Sequence, residues 1–528
     1  MNAFAAAGGG VALAGLRADG VDVLAGVSMA PDGTFAMVPL PSPVAPGQPV
    51  SFEIAFTTRF PAAVRRTGWS GDWMVAAQWF PKIAVLDSGL DGDSWACRPA
   101  SALGEFYGEF GTYDVTLDVP QGLDVVASGV EAPAAGSAPA GMRRWRFVAE
   151  DVHDVAWVAA PGLEVTRERV DGDLELRVVH APEQRAGARR HLEAARRTVE
   201  TLGRWFGRYP WSVLTVVDPP PWTGDAFRGM EYPTLVVVGM DALLLGRGVF
   251  LPEYSTVHEV THQWFHALVA TDEAAEPWLD EGLSEYVGGL VLDEWLGRGR
   301  SALDVFGLRA GYVAARRAAY TLETAPRSGQ PAAAYADHDG YFVASYVRPT
   351  LALATLEGRV GRRKVIAALA DYVAGHRFAH AHAVDLHASF ARVLGERTAA
   401  DFAGWLATTA TPDYQVRGLE VARVGERWQS VVRVANVGGL AIPAEVALRL
   451  ADGRERRVAW DGDGEDVLVI HEESPARSAW IDPDGAVALA GARGDDGISI
   501  GRTDVAPIAR AAAHAAGWEH ALLQVVGP

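Results

Sequence analysis

Apolar residues in this chain recur with a period of two near its start, about 3.6 through its middle and two again toward its end. A chain patterned that way cannot close as one sheet or one helical bundle. From Val50 to about Ala160 the text is short alternating or apolar runs, SFEIAFTTRF, WMVAAQWF, YDVTLDV, WRFVAE and DVAWVAA, broken by Gly, Pro and Asp. This predicts an all-β domain over residues 1–162. Beyond Pro161-Gly162, EQRAGARRHLEAARRTVETLGRWFG sets Leu192, Ala195, Val199 and Leu202 on one helical face. Two strand-like runs, VLTVV and TLVVVG, then flank a Pro-rich loop, and helical periodicity predominates from Ser255 to Trp405. A mixed domain with a mostly helical second half is expected over 163–412. The β pattern returns in VVRVAN, AEVALRL and DVLVIH, separated by turns such as Asp452-Gly453, which predicts a small β-sandwich over 413–494. A linker and a terminal helix, APIARAAAHAAGWEHALLQ, fill 495–528. The fold class is multidomain α+β.

Composition narrows the function. The 528 residues carry 47 Lys+Arg against 66 Asp+Glu, a net charge of −19, and the short basic runs fall in helical patterns. A nucleic-acid partner, which needs clustered cations to displace counterions, is not expected. Cys97 is the only cysteine, so any metal must be held by His and carboxylates. No run approaches the roughly 18 apolar residues of a membrane span. The opening MNAFAAAGGGVALAGL lacks positive residues ahead of its apolar part and a convincing cleavage site, so a cytoplasmic location is expected of the chain as written.

The chemistry is concentrated in HEVTH. His258 and His262 are four apart, so on a helix both imidazoles share a face and can reach one metal, with Glu259 beside them facing a water on that metal. Ser255 or Thr256 is expected to cap this helix, and Val257, Val260, Trp264 and Leu268 to form its buried stripe. Thr256-x-x-Glu259 also reads as a capping box, the plainer account of Glu259. A third His six residues further on would need Gly and His where Phe265 and Leu268 stand, so the third ligand must be a carboxylate. Eighteen residues after His262 comes Glu281 in EPWLDEGLSEYV, where Pro277 suits a first turn and Leu279, Leu283 and Val287 form a stripe. Gly282 is expected to let this helix approach the first. Glu285, one turn on, either braces a ligand imidazole or is a solvated helix residue. Two His and one Glu leave a zinc position open, as in catalytic rather than structural sites.

These residues resemble the aminopeptidase N family of zinc metallopeptidases, which includes leukotriene hydrolase and whose signature is HExxH, eighteen residues, then Glu in a WLxEG context. FRGMEYP is similar to the family's Gly-x-Met-Glu-Asn segment, with Arg228 at the first Gly and Tyr232 at the Asn. The resemblance implies that Gly229, Met230 and Glu231 bind substrate, Glu231 through the free α-amine. GYFVASYVRPTLALATL is similar to the family's Tyr-x-Lys-Gly segment and implies Tyr346 as oxyanion donor, with Tyr341 the alternative and Arg348-Pro349 in place of Lys-Gly. Gln78 of AAQWFPK matches the Gln of a Thr-Gln-x-Glu stretch, but Phe80 stands where some members have a second amine-binding carboxylate, so one acid is expected in the amine pocket. The family's domain order implies a saddle-like β domain, a thermolysin-like domain and a β-sandwich, with further strands before the present start and an export signal conceivable upstream. The function implied is a peptidase with one Zn²⁺ per chain that removes N-terminal residues from peptides. Its rivals are a zinc endopeptidase or other zinc hydrolase, and a non-catalytic peptide-binding homologue.

Overall fold

The computed structural model describes residues 8–89, 92–98, 103–170, 172–239, 248–305, 307–321, 326–491 and 495–500. The terminal helix expected from APIARAAAHAAGWEHALLQ lies outside these residues. Among the described residues the N-terminal third is built of strands, with one short 3-10 turn at Leu24–Gly26. Gly10–Ala18 pairs antiparallel with Phe52–Arg59, Gly111–Pro120 pairs with Met142–Val152, and a four-stranded sheet runs in the order Asp124–Ala127, Trp157–Ala160, Trp73–Ala76, Gly68–Ser70. Strands Trp73–Ala76 and Trp157–Ala160 are mostly buried, and Trp73, Val75 and Val158 share one core cluster with Phe227, Met230 and Tyr232. That cluster fixes the loop bearing Glu231 against the sheet.

At Glu164 the chain enters a different sheet. Glu164–Val170 pairs antiparallel with Leu174–His180, and Val213–Asp218 and Leu235–Val237 add in parallel. Parallel neighbours need a crossover, which α1 (Arg185–Phe206) supplies. Val213–Asp218 is buried along its whole length, as a strand covered on both faces must be, and it reads as a continuous apolar run.

The helices that follow are α2 (Leu251–Phe265), α3 (Pro277–Leu296), α4 (Tyr312–Thr321), α5 (His338–Phe342), α6 (Arg348–Val360), α7 (Arg362–Gly375), α8 (Ala383–Leu394) and α9 (Glu396–Ala407). α3 begins at Pro277 as the sequence predicts. α2 does not begin where it predicts. Pro252, with its fixed φ, sits in the first turn, four residues before the expected caps, so Ser255 and Thr256 are interior. Thr256 Oγ1 donates to Pro252 O at 2.9 Å, and no capping box forms with Glu259. α2 also stops at Phe265, which leaves Leu268 beyond the helix although still buried.

A second correction concerns Gly282. A Cβ there would lie 2.5 Å from Pro349 Cβ and 3.0 Å from Ser345 O, so this glycine admits the segment of Tyr346, not α2. The close approach of α3 to α2 falls instead at Gly288, where a Cβ would stand 3.4 Å from Val257 Cγ1 and 3.8 Å from His258 Cα. Between α5 and α6 the helix widens into a π turn, Val343–Val347. Pro349 accounts for it, because a proline ring clashes with the carbonyl four residues back, here Ser345, and a wider turn relieves the clash.

After α9 the chain forms two further sheets. One contains Tyr414–Val424, Arg427–Asn436 and Glu465–Glu472, the other Glu455–Trp460, Ala444–Leu450, Ala476–Ile481 and Gly497–Ser499. Val432 and Val434 of the first and Val446 and Leu448 of the second belong to the core cluster that also holds α2 and α3. Among the described residues, no helix is long and apolar enough to cross a membrane.

Candidate metal and substrate site

α2 and α3 bring three of the predicted residues to one point. His258 Nε2 and His262 Nε2 are 3.1 Å apart, and Glu281 Oε2 lies 3.3 Å from each. The second nitrogens face carboxylates. His262 Nδ1 donates to Asp280 Oδ1 at 2.6 Å, and His258 Nδ1 lies 3.0 Å from Glu285 Oε2. With both Nδ1 positions directed outward to acids, the two Nε2 lone pairs converge with a carboxylate oxygen, an arrangement that is repulsive without a cation between the three atoms. A tetrahedral zinc with ligands at ~2.0–2.1 Å would set those ligands ~3.3 Å apart, which is the spacing found. The donor set and its outer carboxylates therefore fit a zinc ion.

The surroundings fix this geometry. Glu285 is fully buried rather than solvated, it forms an ion pair with Arg316 of α4, and it accepts from Tyr254 OH at 2.6 Å. Burial opposes its charge, yet Arg316, His258 and Tyr254 outweigh that and bring its carboxyl down to about 2. Burial likewise works against Glu281, and hydrogen bonds from His258 and His262 hold its carboxyl below the usual range. Glu259 is buried, and burial pushes its carboxyl up to about 8; Glu231 and Glu281 add to the rise while His258 and His262 oppose it.

Tyr346, in the π turn, donates to Glu281 Oε1 at 2.5 Å, and its ring lies 5.9 Å from that of His258. Tyr341 donates elsewhere, to Glu273 Oε1 at 3.0 Å. Arg348, at the family's Lys position, points away from the centre and donates to the carbonyls of Trp405 and Ala410 and to Tyr320 OH. Of the residues expected to bind the substrate amine, Gly229 has φ 70° and with Met230 bonds back to Val237, closing a loop with Glu231 near its start. Gln78 spends its amide on Asp154, and Phe80 packs edge-on against Trp79 and Tyr113.

Sequence reasoning missed six residues here. Gln263, next to His262, donates to the carbonyls of Glu231 and Tyr232 and accepts from Thr234 N at 2.8 Å, so the helix of the imidazoles also holds the loop of Glu231. Asp280 bridges two rings, since its Oδ2 accepts from His266 Nδ1 at 2.7 Å. His266 and Glu273 lie beside Glu231. Arg66 pairs with Glu105 at 2.5 Å from a turn in which Arg65 and Arg66 both have positive φ, 34° and 73°. Two successive non-glycine residues in that region are costly, and such strain is kept where a side chain must be aimed. The visible signals were a polar residue on the buried side of a helix and an acid directly before Glu281.

Fold and site together define a unit in which two imidazoles one helical turn apart and a glutamate from the next helix form a zinc-type ligand set. Residues 190–405 match the family model of the Peptidase family M1 domain. Aminopeptidase N of Haemonchus contortus is 22% identical over 330 residues, 60% of this chain. The chain spans about a third, 32%, of that relative's length. Among solved structures, Legionella pneumophila aminopeptidase A in complex with aspartic acid superposes with a TM-score of 0.66 at 14% identity, over 91% of this chain and 54% of that one. A two-domain M1 zinc metallopeptidase variant bound to L-arginine gives 0.54 at 18% identity, over 76% of this chain and 84% of that one. At these identities the two structures speak for the fold.

Proposed function

We propose that this protein is a zinc-dependent aminopeptidase that hydrolyses the first peptide bond of peptides. The observation that carries the reading is the convergence of His258 Nε2, His262 Nε2 and Glu281 Oε2 at 3.1–3.3 Å with carboxylates behind both rings. His258, His262 and Glu281 would hold the zinc, which would supply Lewis acidity toward the scissile carbonyl and toward a water. Glu259 takes the proton of the attacking water and passes it to the leaving amine. Tyr346 OH, already at Glu281, turns its hydrogen bond to the oxyanion as charge develops there. Asp280 and Glu285 keep the imidazoles in their tautomer and orientation. Glu231, pinned through Gln263, fixes the register by pairing with the substrate ammonium, which distinguishes an aminopeptidase from an endopeptidase on the same ligands. Gly229 and Met230 shape that loop. The same reading divides the chain into a β domain to 162, a peptidase domain over 163–412 and a β-sandwich over 413–494. The test is hydrolysis of amino-acid arylamides before and after chelation. Activity lost to a chelator and restored by Zn²⁺ supports the reading, and activity indifferent to chelation with the metal fully removed refutes it.

A further inference from the structure

We propose that Glu231, Glu273 and His266 form a three-point cradle for the α-ammonium of the substrate, with Glu273 as a second acidic specificity determinant supplied by the link between α2 and α3. This rests on the aminopeptidase reading and adds two residues to it. It also corrects the expectation, drawn from Phe80, that the amine pocket holds one acid.

The three side chains come from separate places: the loop before Leu235–Val237, the link between α2 and α3, and the end of α2. One ligand atom from each lies within 4.8 Å of the others, and all three residues are buried. Glu273 is 1% exposed; its Oε1 accepts from Tyr341, while its Oε2 is buried without a hydrogen-bond partner. Burial, with Glu281 and Glu105 close by, holds this carboxyl well above the usual carboxylate range, so its charged form needs a cationic donor that arrives from outside. No Lys or Arg among the described residues forms an ion pair with Glu231 or Glu273. Arg66, whose field reaches both, is bound to Glu105. His266 Nδ1 is committed to Asp280, which leaves its Nε2 for a ligand.

Spacing separates an ammonium from a second metal. Tetrahedral N–H···O bonds of ~2.8–2.9 Å put three acceptors ~4.6–4.7 Å apart, whereas zinc draws its ligands to ~3.3 Å. The cluster of His258, His262 and Glu281 has the metal spacing, 3.1–3.3 Å. In the second cluster, no ion pair within 4.0 Å joins His266 to Glu231 or Glu273, while the ligand atoms lie within 4.8 Å of one another, so His266 stands further from the two acids than zinc ligands stand from each other and within the reach of an ammonium's acceptors. A primary ammonium has three N–H donors for these three acceptors. The cradle also lies at the right remove from the chemistry. The ring of His266 lies 6.3 Å from that of His262, and Asp280 bonds the Nδ1 of both. An α-ammonium stands two bonds from the carbonyl to be attacked, so adjacent subsites are what it requires.

The test compares zinc-loaded wild type, Glu273→Gln, Glu231→Gln and the double variant on leucine arylamide and N-acetyl-leucine arylamide, with leucinamide as competitive inhibitor. Glu273→Gln should retain zinc, lower kcat/KM for the free amine by about 10- to 100-fold, mostly through KM, and weaken leucinamide to a similar degree while leaving the acetylated substrate unchanged. The double variant should lose the free-amine preference. If Glu273→Gln does not fold, Tyr341→Phe, which removes the donor holding Glu273 Oε1, should shift the same ratio by less; an unchanged ratio there overturns the cradle. An unchanged ratio in Glu273→Gln beside a narrowed one in Glu231→Gln also overturns it and leaves the aminopeptidase reading standing. A wild type that cleaves both substrates equally overturns both. Loss of a second equivalent of zinc in Glu273→Gln would overturn the ammonium in favour of a metal. A drop on Nα-acetyl-lysine arylamide, which carries only a side-chain ammonium, would overturn the α-amine assignment.

Discussion

The phenolic oxygen of Tyr346 lies 2.5 Å from Oε1 of Glu281, while the other oxygen of that carboxylate faces His258 and His262. A donor placed there acts on charge that develops beside the metal. Tyr346→Phe is therefore expected to lower kcat by roughly 10²-fold with little change in KM. Tyr341→Phe should lower kcat less, because its hydroxyl is bound to Glu273. Steady-state kinetics of the pair checks this, and the reverse order would make Tyr341 the donor.

Glu259→Gln removes the proposed proton carrier but keeps the shape of α2. It should bind zinc normally and lose at least about 10²-fold in kcat. Glu259 caps nothing in the fold, so its thermal midpoint should stay near that of wild type. Activity within a few-fold of wild type would show that another group moves the proton.

The protein should hold about one zinc per chain, and His262→Ala should lose most of it, as read by elemental analysis. Asp280→Ala tests the outer layer. It frees His262 Nδ1 and His266 Nδ1 together, so zinc affinity should fall by roughly 10- to 100-fold in a chelator competition. Equal affinity in the variant would show that Asp280 has no hold on the ligand.

Gly282→Ala sets a methyl group 2.5 Å from Pro349 Cβ against a rigid ring. Overpacking of this kind should cost about 1–3 kcal/mol in denaturant unfolding. Because the displaced segment carries Tyr346, kcat should fall as well. A stable variant with full activity would mean that α3 and the π turn can separate freely.

The element types were legible because each period was sustained: the strand runs before 162, α1, and the strands after 413 lie where the apolar spacing puts them. The convergence of His258 and His262 was legible for the same reason, since i, i+4 spacing on one helix determines a shared face. The start of α2 was not, because Ser255 and Thr256 look like caps and only Pro252 marks the true first turn. Gly282 was assigned to the wrong neighbour, since one sequence shows that two helices meet closely but not which two. The π turn could have been anticipated from Pro349 and was not. Glu273, His266, Arg66 and Glu105 carry no local pattern at all. They meet through tertiary structure, and an acid in the link TDEAAEP is indistinguishable from a surface residue until its burial is known.

The central claim is that this cleft recognises a free N-terminus over a zinc ion, and the most direct measurement is the ratio of kcat/KM for an amino-acid arylamide to that for its N-acetylated analogue, in zinc-loaded wild type and Glu231→Ala. A charge-assisted hydrogen bond in a partly dry site contributes about 1.5–3 kcal/mol, so the wild type should strongly prefer the free amine and Glu231→Ala should narrow that preference by roughly 10- to 100-fold. A wild-type ratio preserved in Glu231→Ala would contradict the account and leave an endopeptidase-like hydrolase in its place.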